Sequence, residues 1–219
     1  MKTCSMCIGG TITMIAAAGV AGALMLGGMG SATTAAPAVT AAVAATSTAA
    51  AEGDFAVDKV HSTVVFRVQR TAGAPFYGVF GEIDGSFNIN HEDPSKSTIN
   101  VTIPVASVNS NNAGRDKHLK NADFFSAEEF PNATFKATKF TKTGDKQYDV
   151  TGDFTLRGTT KPITIKVKET GTGPARGGGT AVGLDVQFSF KRSEFGVNYG
   201  LQALSDEITM MVGLEGVRK

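Results

Sequence analysis

Apolar and polar side chains alternate along most of residues 54–219, and this pattern constrains the fold more than any other feature. In residues 181–191, one set of positions is apolar throughout: Val182, Leu184, Val186, Phe188 and Phe190. Because successive side chains of a strand point to opposite faces, each such stretch has one apolar face and one polar face. Many strands of this kind, without long helices between them, favour an antiparallel sheet closed on itself. A two-sheet sandwich would show the same alternation.

The same rule assigns two faces to residues 79–89. One face would carry Val79, Gly81, Ile83, Gly85, Phe87 and Ile89, and the other would carry Phe80, Glu82, Asp84, Ser86 and Asn88. Strands are predicted near 54–70, 76–90, 99–105, 133–137, 148–156, 163–167, 181–191 and 208–214. One short helix is predicted from Arg115 to Asn121, after Asn111, Asn112 and Gly114.

The first 53 residues differ from the rest in composition. Residues 8–30 are apolar or small and uncharged, and small residues follow. This pattern predicts a signal peptide over residues 1–36, with an uncleaved membrane anchor as the alternative because the apolar segment could span a bilayer. Residues 37–53 are rich in Ala and Thr and are predicted to be a linker. Residues 54–219 are then one domain with a sizeable core.

Charge and cysteine content narrow the functional class. The formal net charge is +1, which argues against a nucleic-acid or anionic-membrane binder. Cys4 and Cys7 are the only cysteines, and a cleaved leader would remove both. An export signal with a disulfide-free domain predicts a bacterial periplasmic or secreted protein.

No catalytic or metal-ligating residue is predicted. Asp58, His61 and Ser62 invite a triad interpretation, but adjacent strand residues point to opposite faces, so His61 and Ser62 are poorly placed to share a proton. His61, His91 and His118 are widely spaced and form no ligand signature. No cofactor is predicted either.

The interior is predicted to contain small residues and no tryptophan, with Gly81, Gly85, Ala133, Ala137 and Gly152 among its members. An eight-stranded barrel is just wide enough to be filled by side chains or to hold one small ligand. The pattern alone leaves a cavity and a solid core equally open. The charged segment Arg115–Leu119 is either a solvated helix face or a polar rim that meets a ligand's head group.

Several ordered motifs resemble the YceI-like proteins over residues 54–217. They are Asp58-x-x-His61-Ser62 with Phe66, Gly78-x-Phe80 with Asp84-Gly85, Arg115-Asp116-x-His118-Leu119, Asp123-Phe124-Phe125, Phe130-Pro131 with Phe135, Gly152 to Gly158 with Thr160-Lys161-Pro162, and Arg192 to Gly196. Two departures stand out. Phe55 stands where the family often has Trp or Tyr, and the Ala/Thr-rich linker is not part of the family pattern.

The resemblance implies an all-β fold: an extended, antiparallel, eight-stranded lipocalin-like barrel with one short helix. It also implies periplasmic secretion, frequent homodimers, no catalysis, and an elongated apolar pocket for polyisoprenoid or other amphiphilic chains. With the alternation above, the predicted pocket residues are Phe66, Val68, Ile83, Phe87, Val101, Ile103, Phe124, Phe125, Phe135, Val150, Phe154, Ile165, Val186, Phe188, Met210 and Val212. Arg115 and His118 are predicted to form its polar rim.

The leading hypothesis is therefore non-enzymatic binding, storage or transport of an amphiphilic lipid, such as a polyisoprenoid or a quinone. Two alternatives stay open. One is a hydrolase or isomerase that acts on an apolar substrate through His61 or His118. The other is a structural envelope protein with a filled barrel.

Overall fold

A computed structural model describes residues 54–218, so the predicted leader and linker lie outside the described residues. The helix is α1 (Ala113–Lys120). The strands are β1 (Phe55–Val57), β2 (Thr63–Arg70), β3 (Pro75–Phe80), β4 (Asp84–Asn88), β5 (Thr98–Pro104), β6 (Val108–Asn109), β7 (Asn132–Gly144), β8 (Gln147–Leu156), β9 (Thr159–Pro174), β10 (Thr180–Lys191) and β11 (Leu204–Arg218). Within 54–218, no helix is long and apolar enough to cross a membrane.

The strands form one closed antiparallel barrel. The pairing order runs β1-β4-β5-β7-β8-β9-β10-β11, and β1 pairs again with β11 to complete the circle. The remaining strands β2, β3 and β6 continue from β11 as an extension of the same sheet. β1 and β2 follow one another along the chain as two parts of one interrupted strand, and so do β3 and β4, and β5 and β6. These three interrupted strands and the five strands β7 to β11 give eight in all. The predicted eight-stranded barrel with one helix is confirmed.

The interruption between β3 and β4 changes which side chains face inward. Phe80 of β3 packs on the core, whereas Val79 does not belong to it. Ile83 and Phe87 are nevertheless buried. The alternation therefore shifts by one residue at Gly81-Glu82, where the backbone N–H of Gly81 bonds to the carbonyl of Ser107 instead of a strand partner. The predicted orientation of Val79 and Phe80 is wrong for this reason, because an irregularity of one residue exchanges the two faces.

The strand of residues 180–191 follows the prediction. Its even-numbered apolar residues join the core, while Gly183, Asp185 and Gln187 lie on the outer face. It pairs along its whole length with β11 in a regular register, for example Phe188 opposite Met210. The regular register keeps one continuous apolar strip on the inside of the barrel.

Helix α1 begins where the side chain of Asn112 accepts a hydrogen bond from the backbone N–H of Arg115. Helix α1, residues 121–131 and residues 192–203 together lie at one end of the barrel, and we call this set the cap. Arg157 links its two loops by donating to the carbonyls of Ala122 and Gly196. The cap thus forms a second layer over one barrel end.

Candidate functional site

A cavity of about 540 Å³ occupies the barrel beneath the cap. Most of its wall consists of apolar side chains from the inner faces of β2, β3, β5, β7, β8, β9, β10 and β11, and the cap contributes the rest. The predicted residues that line it are Phe66, Val68, Val101, Ile103, Phe124, Phe125, Phe135, Phe154, Ile165, Val186, Phe188, Met210 and Val212, with Arg115 and His118. The barrel is therefore not filled from end to end.

Three predicted pocket residues lie elsewhere. Ile83, Phe87 and Val150 do not line this cavity, although each is at most 3 % exposed. They pack in the filled part of the barrel further from the cap. Alternation identifies inward-facing residues but does not tell how far along the barrel each one lies, and this is why they were misplaced.

Sequence reasoning missed several members of the wall. The most informative are Phe76 and Phe80 of β3, Arg192, and Tyr199 of the cap. Phe76 and Phe80 would have been found from β3 alone, because Phe76, Gly78 and Phe80 alternate with Pro75, Tyr77 and Val79. Tyr199 lies in a loop without periodicity, so no sequence signal indicated it.

Two interior glycines, Gly78 and Gly152, lie against phenyl rings and do not leave empty space. A Cβ atom on Gly152 would lie 2.5 Å from the ring of Phe135, and one on Gly78 would lie 2.3 Å from the ring of Phe66. These glycines therefore provide room for neighbouring phenyl rings.

Arg115 stands at the rim of the cavity, held on three sides. Its Nε donates to Ser110 Oγ at 2.7 Å, and its Nη2 donates to the Ser110 carbonyl. Its guanidinium also lies 4.3 Å from the ring centre of Phe76. The Ser110 hydroxyl in turn donates to Asp116, which lowers the pKa of that carboxyl below its usual value. Part of the donor capacity of Arg115 is thus used within the protein.

His118 belongs to an aromatic cluster at the rim. Its ring meets Phe124 at 5.1 Å and Tyr199 at 5.0 Å, both edge-on, and Phe124 lies 5.2 Å from Tyr199. His118 Nε2 lies 2.9 Å from an Asp123 carboxylate oxygen. The cluster joins helix α1 to both loops of the cap.

Arg192 is 4 % exposed and lines the cavity from the cap side. Its guanidinium donates to the carbonyls of Val197, Tyr199, Leu204 and Ser205. Burial lowers the pKa of this arginine, an effect that nearby Asp206 partly offsets. Its role in the free protein is to hold the second cap loop in place.

The other two histidines lie away from the cavity. His61 sits on the exterior at the bend between β1 and β2, 2.8 Å from Asp58 and 3.8 Å from Glu215. The hydrogen bond between Asp58 and His61 raises the pKa of His61 and lowers the pKa of the Asp58 carboxyl. Ser62 accepts instead from the backbone N–H of Glu215. Asp58, His61 and Glu215 are close enough to share a cation but are only partly buried or exposed.

A second, smaller chamber of about 190 Å³ lies beyond the filled part of the barrel. Phe55, Phe87 and Val182 form part of its wall, and Glu169 and His91 add polar groups. The Glu169 side chain is 3 % exposed, with Lys146 Nζ at 3.0 Å and His91 Nε2 at 3.2 Å. The carboxylate of Glu169 raises the pKa of Lys146. A buried carboxylate with two partly exposed partners, Lys146 and His91, thus lies at this end of the protein.

Comparison with known proteins agrees with this architecture. The family model for the YceI-like domain matches residues 55–216. Protein YceI of Escherichia coli O157:H7 is 38 % identical over 172 residues, which cover 78 % of this chain and 90 % of that protein. The crystal structure of Burkholderia cenocepacia BcnA has a TM-score of 0.67 at 24 % identity, covering 73 % of this chain and 98 % of BcnA. A polyisoprenoid-binding domain from Saccharophagus degradans, implicated in plant cell wall breakdown, has a TM-score of 0.56 at 13 % identity, covering 75 % and 98 %.

Proposed function

Since the chain belongs to the YceI-like family, we propose that it binds an amphiphilic lipid, such as a polyisoprenoid or a quinone, with the apolar chain inside the barrel. The observation that carries this proposal is the apolar cavity of about 540 Å³ with charged and aromatic side chains at its rim. Such a cavity suits a molecule with a long apolar part and one polar end. The polyisoprenoid-binding domain with a similar fold supports the same ligand class.

The mechanism of binding is burial. Each Å² of apolar surface removed from water contributes about 25 cal/mol, so an isoprenoid chain gains several kcal/mol even after its ordering cost. Phenylalanines dominate the wall, and their rings bury large areas without polar groups that would need partners. No covalent step is needed for this function.

The ligand's polar end is placed at Arg115 and His118 in this proposal. Arg115 keeps an Nη1 group that is free of the Ser110 contacts, and a cationic donor can bond a phosphate or a quinone oxygen. Arg115→Ala should weaken binding by about 1–3 kcal/mol. Lys117→Ala is the matched control, because Lys117 lies on the same helix but does not line the cavity. Equal affinity of the two variants would contradict the placement.

Of the three histidines, only one lines the cavity and is available for an enzymatic role. His118 lines it, whereas His61 does not. A hydrolase or isomerase should lose turnover on prenyl esters or quinones when His118 is replaced by alanine. Absence of turnover in the unaltered protein favours binding alone.

The most direct test is the identification of the bound molecule. The purified protein should be extracted with organic solvent and the extract analysed by mass spectrometry. We expect a molecule with a long apolar chain, and we expect less of it from Ala133→Phe, which would fill part of the cavity because Ala133 lines it. Thr151→Phe on the outer face is the control. A lipid-free extract, together with failure to bind added prenols, would overturn the proposal.

A further inference from the structure

Phe87, Val150 and Leu184 form a floor across the barrel. All three are 2 % exposed or less, and none lines the large cavity. Each is paired across neighbouring strands with a residue that does line it: Phe87 with Ile99, Val150 with Ile165, and Leu184 with Leu214. Along β10, Leu184 lies between Val186, which lines the large cavity, and Val182, which lines the small chamber, so the floor is the layer between these two spaces.

Phe87 is the main element of this floor. It lines the small chamber on the other side, whereas its strand partner Ile99 lines the large cavity, so Phe87 lies between the two spaces. The ring reaches across β1 to β11, since a Cβ atom on Gly216 would lie 2.5 Å from it. It also stacks on Phe55 at 5.7 Å between ring centres. Its position is thus fixed by contacts with two other strands.

The chamber below the floor is unsuitable for a hydrocarbon chain at its far end. There the buried carboxylate of Glu169 holds Lys146, His91 and the hydroxyl of Thr172. An apolar chain that reached this cluster would disturb charged hydrogen bonds without replacing them. A lipid is therefore expected to enter beneath the cap rather than through this polar end.

We propose that the Phe87 floor sets the maximum length of the apolar chain that the barrel accepts. This inference rests on the proposed function. A chain that enters beneath the cap with its polar end at the rim is buried until it meets Phe87, and any further units must remain in water or force the chain to fold back. Removing the floor joins the chamber to the cavity and lengthens the space by about 7 Å, the rise of two strand residues.

The test uses a series of all-trans prenols of increasing length. Binding of each is measured by displacement of an apolar fluorophore from the purified protein. For the unaltered protein, affinity should rise with length to a limit and then stop rising. In Phe87→Ala the limit should move to a longer prenol, with affinity about tenfold higher for every two additional carbons that are buried.

Matched variants separate the floor from the wall. Phe188→Ala also removes a phenyl ring, but from the side of the cavity, and should leave the limit unchanged. Because truncation of the buried Phe87 also lowers folding stability, Leu184→Ala provides a second opening of the floor. Leu214→Phe should fill space above the floor and so lower the maximum length of prenol that binds with rising affinity.

The outcomes distinguish the two proposals. If the unaltered protein binds no prenol of any length, the proposed function fails. If it binds prenols with a limit that stays the same in folded Phe87→Ala, Leu184→Ala and Leu214→Phe, only the floor is refuted. Affinity that keeps rising with length in the unaltered protein would also refute the floor.

Discussion

At the residue scale, the interior is shaped by pairs in which a glycine leaves room for a phenylalanine ring. Gly78 leaves room for the ring of Phe66, Gly152 for that of Phe135, and Gly216 for that of Phe87. In each pair the glycine and the phenylalanine lie on different strands, so each ring fits only when the strands are in register. Packing at this precision adds specificity to a sheet that alternation alone defines only coarsely.

Gly78→Ala should therefore destabilise the protein by about 1–3 kcal/mol, because the new methyl group would displace the Phe66 ring. Gly213→Ala is the control: it lies in β11 with open space where the methyl group would go. Urea denaturation of both variants measures the difference. Equal stability would show that Phe66 can move aside without cost.

A charge inside the barrel tests the strand orientation directly. Phe188 lines the cavity, whereas its neighbour Gln187 is exposed. Phe188→Asp should cost several kcal/mol because it buries a carboxylate without a partner. Gln187→Asp should be nearly neutral. Identical melting temperatures would mean that β10 faces the other way.

At the element scale, the cap is held to the barrel by apolar residues of its two loops and by two arginines. Phe124, Phe195 and Val197 of the loops are buried in the core. Helix α1 has no buried residue. Arg157 bonds both cap loops, and Arg192 bonds four carbonyl groups of the second loop and the start of β11. Helix α1, which buries no residue, should open more easily than the strands beneath it. This suits the proposed entry of a lipid beneath the cap.

Arg157→Ala should loosen the cap while the barrel stays folded. We expect faster amide hydrogen exchange in residues 121–125 and 196–199, and faster release of a bound prenol, with little change in β8–β11. Lys166→Ala removes an exposed ion pair with Asp149 on the outer face and should change neither measurement. Unchanged exchange in the cap loops of Arg157→Ala would refute this role.

At the scale of the whole molecule, the barrel combines a hollow half and a filled half. The half beneath the cap holds the large cavity, and the other half is filled by Phe87, Val150 and their neighbours before it ends in the Glu169 cluster. The filled half supplies a core that is packed without a ligand. A bound lipid should raise the melting temperature in proportion to its affinity and concentration.

Export of the whole chain is a separate prediction, made from residues 1–36. N-terminal sequencing of the protein isolated from its native cells should show that Met1 and the apolar segment have been removed. Recovery of intact protein in the membrane fraction, beginning at Met1, would instead support an anchor. A homodimer is a further expectation, which sedimentation of the mature protein would test.

The sequence alone determined the antiparallel strands, the short helix and most of the inward-facing positions, and its resemblance to the YceI-like family added the closed eight-stranded barrel and its pocket. The inward-facing positions follow from a period of two, because alternation is a local property that each strand carries in its own residues. It also predicted that Arg115 and His118 lie at one end of the barrel, since a short helix interrupts the strand pattern there, and both residues line the cavity.

Only the tertiary structure decided how the interior is divided. Ile83, Phe87 and Val150 face inward as the pattern predicts, but their height along the barrel depends on the pairing of distant strands. The shift at Gly81-Glu82 depends in the same way on Ser107, which lies on another segment. Register between strands and the positions of loops such as the one that carries Tyr199 are set by contacts far apart in sequence, and so periodicity within one strand cannot reveal them.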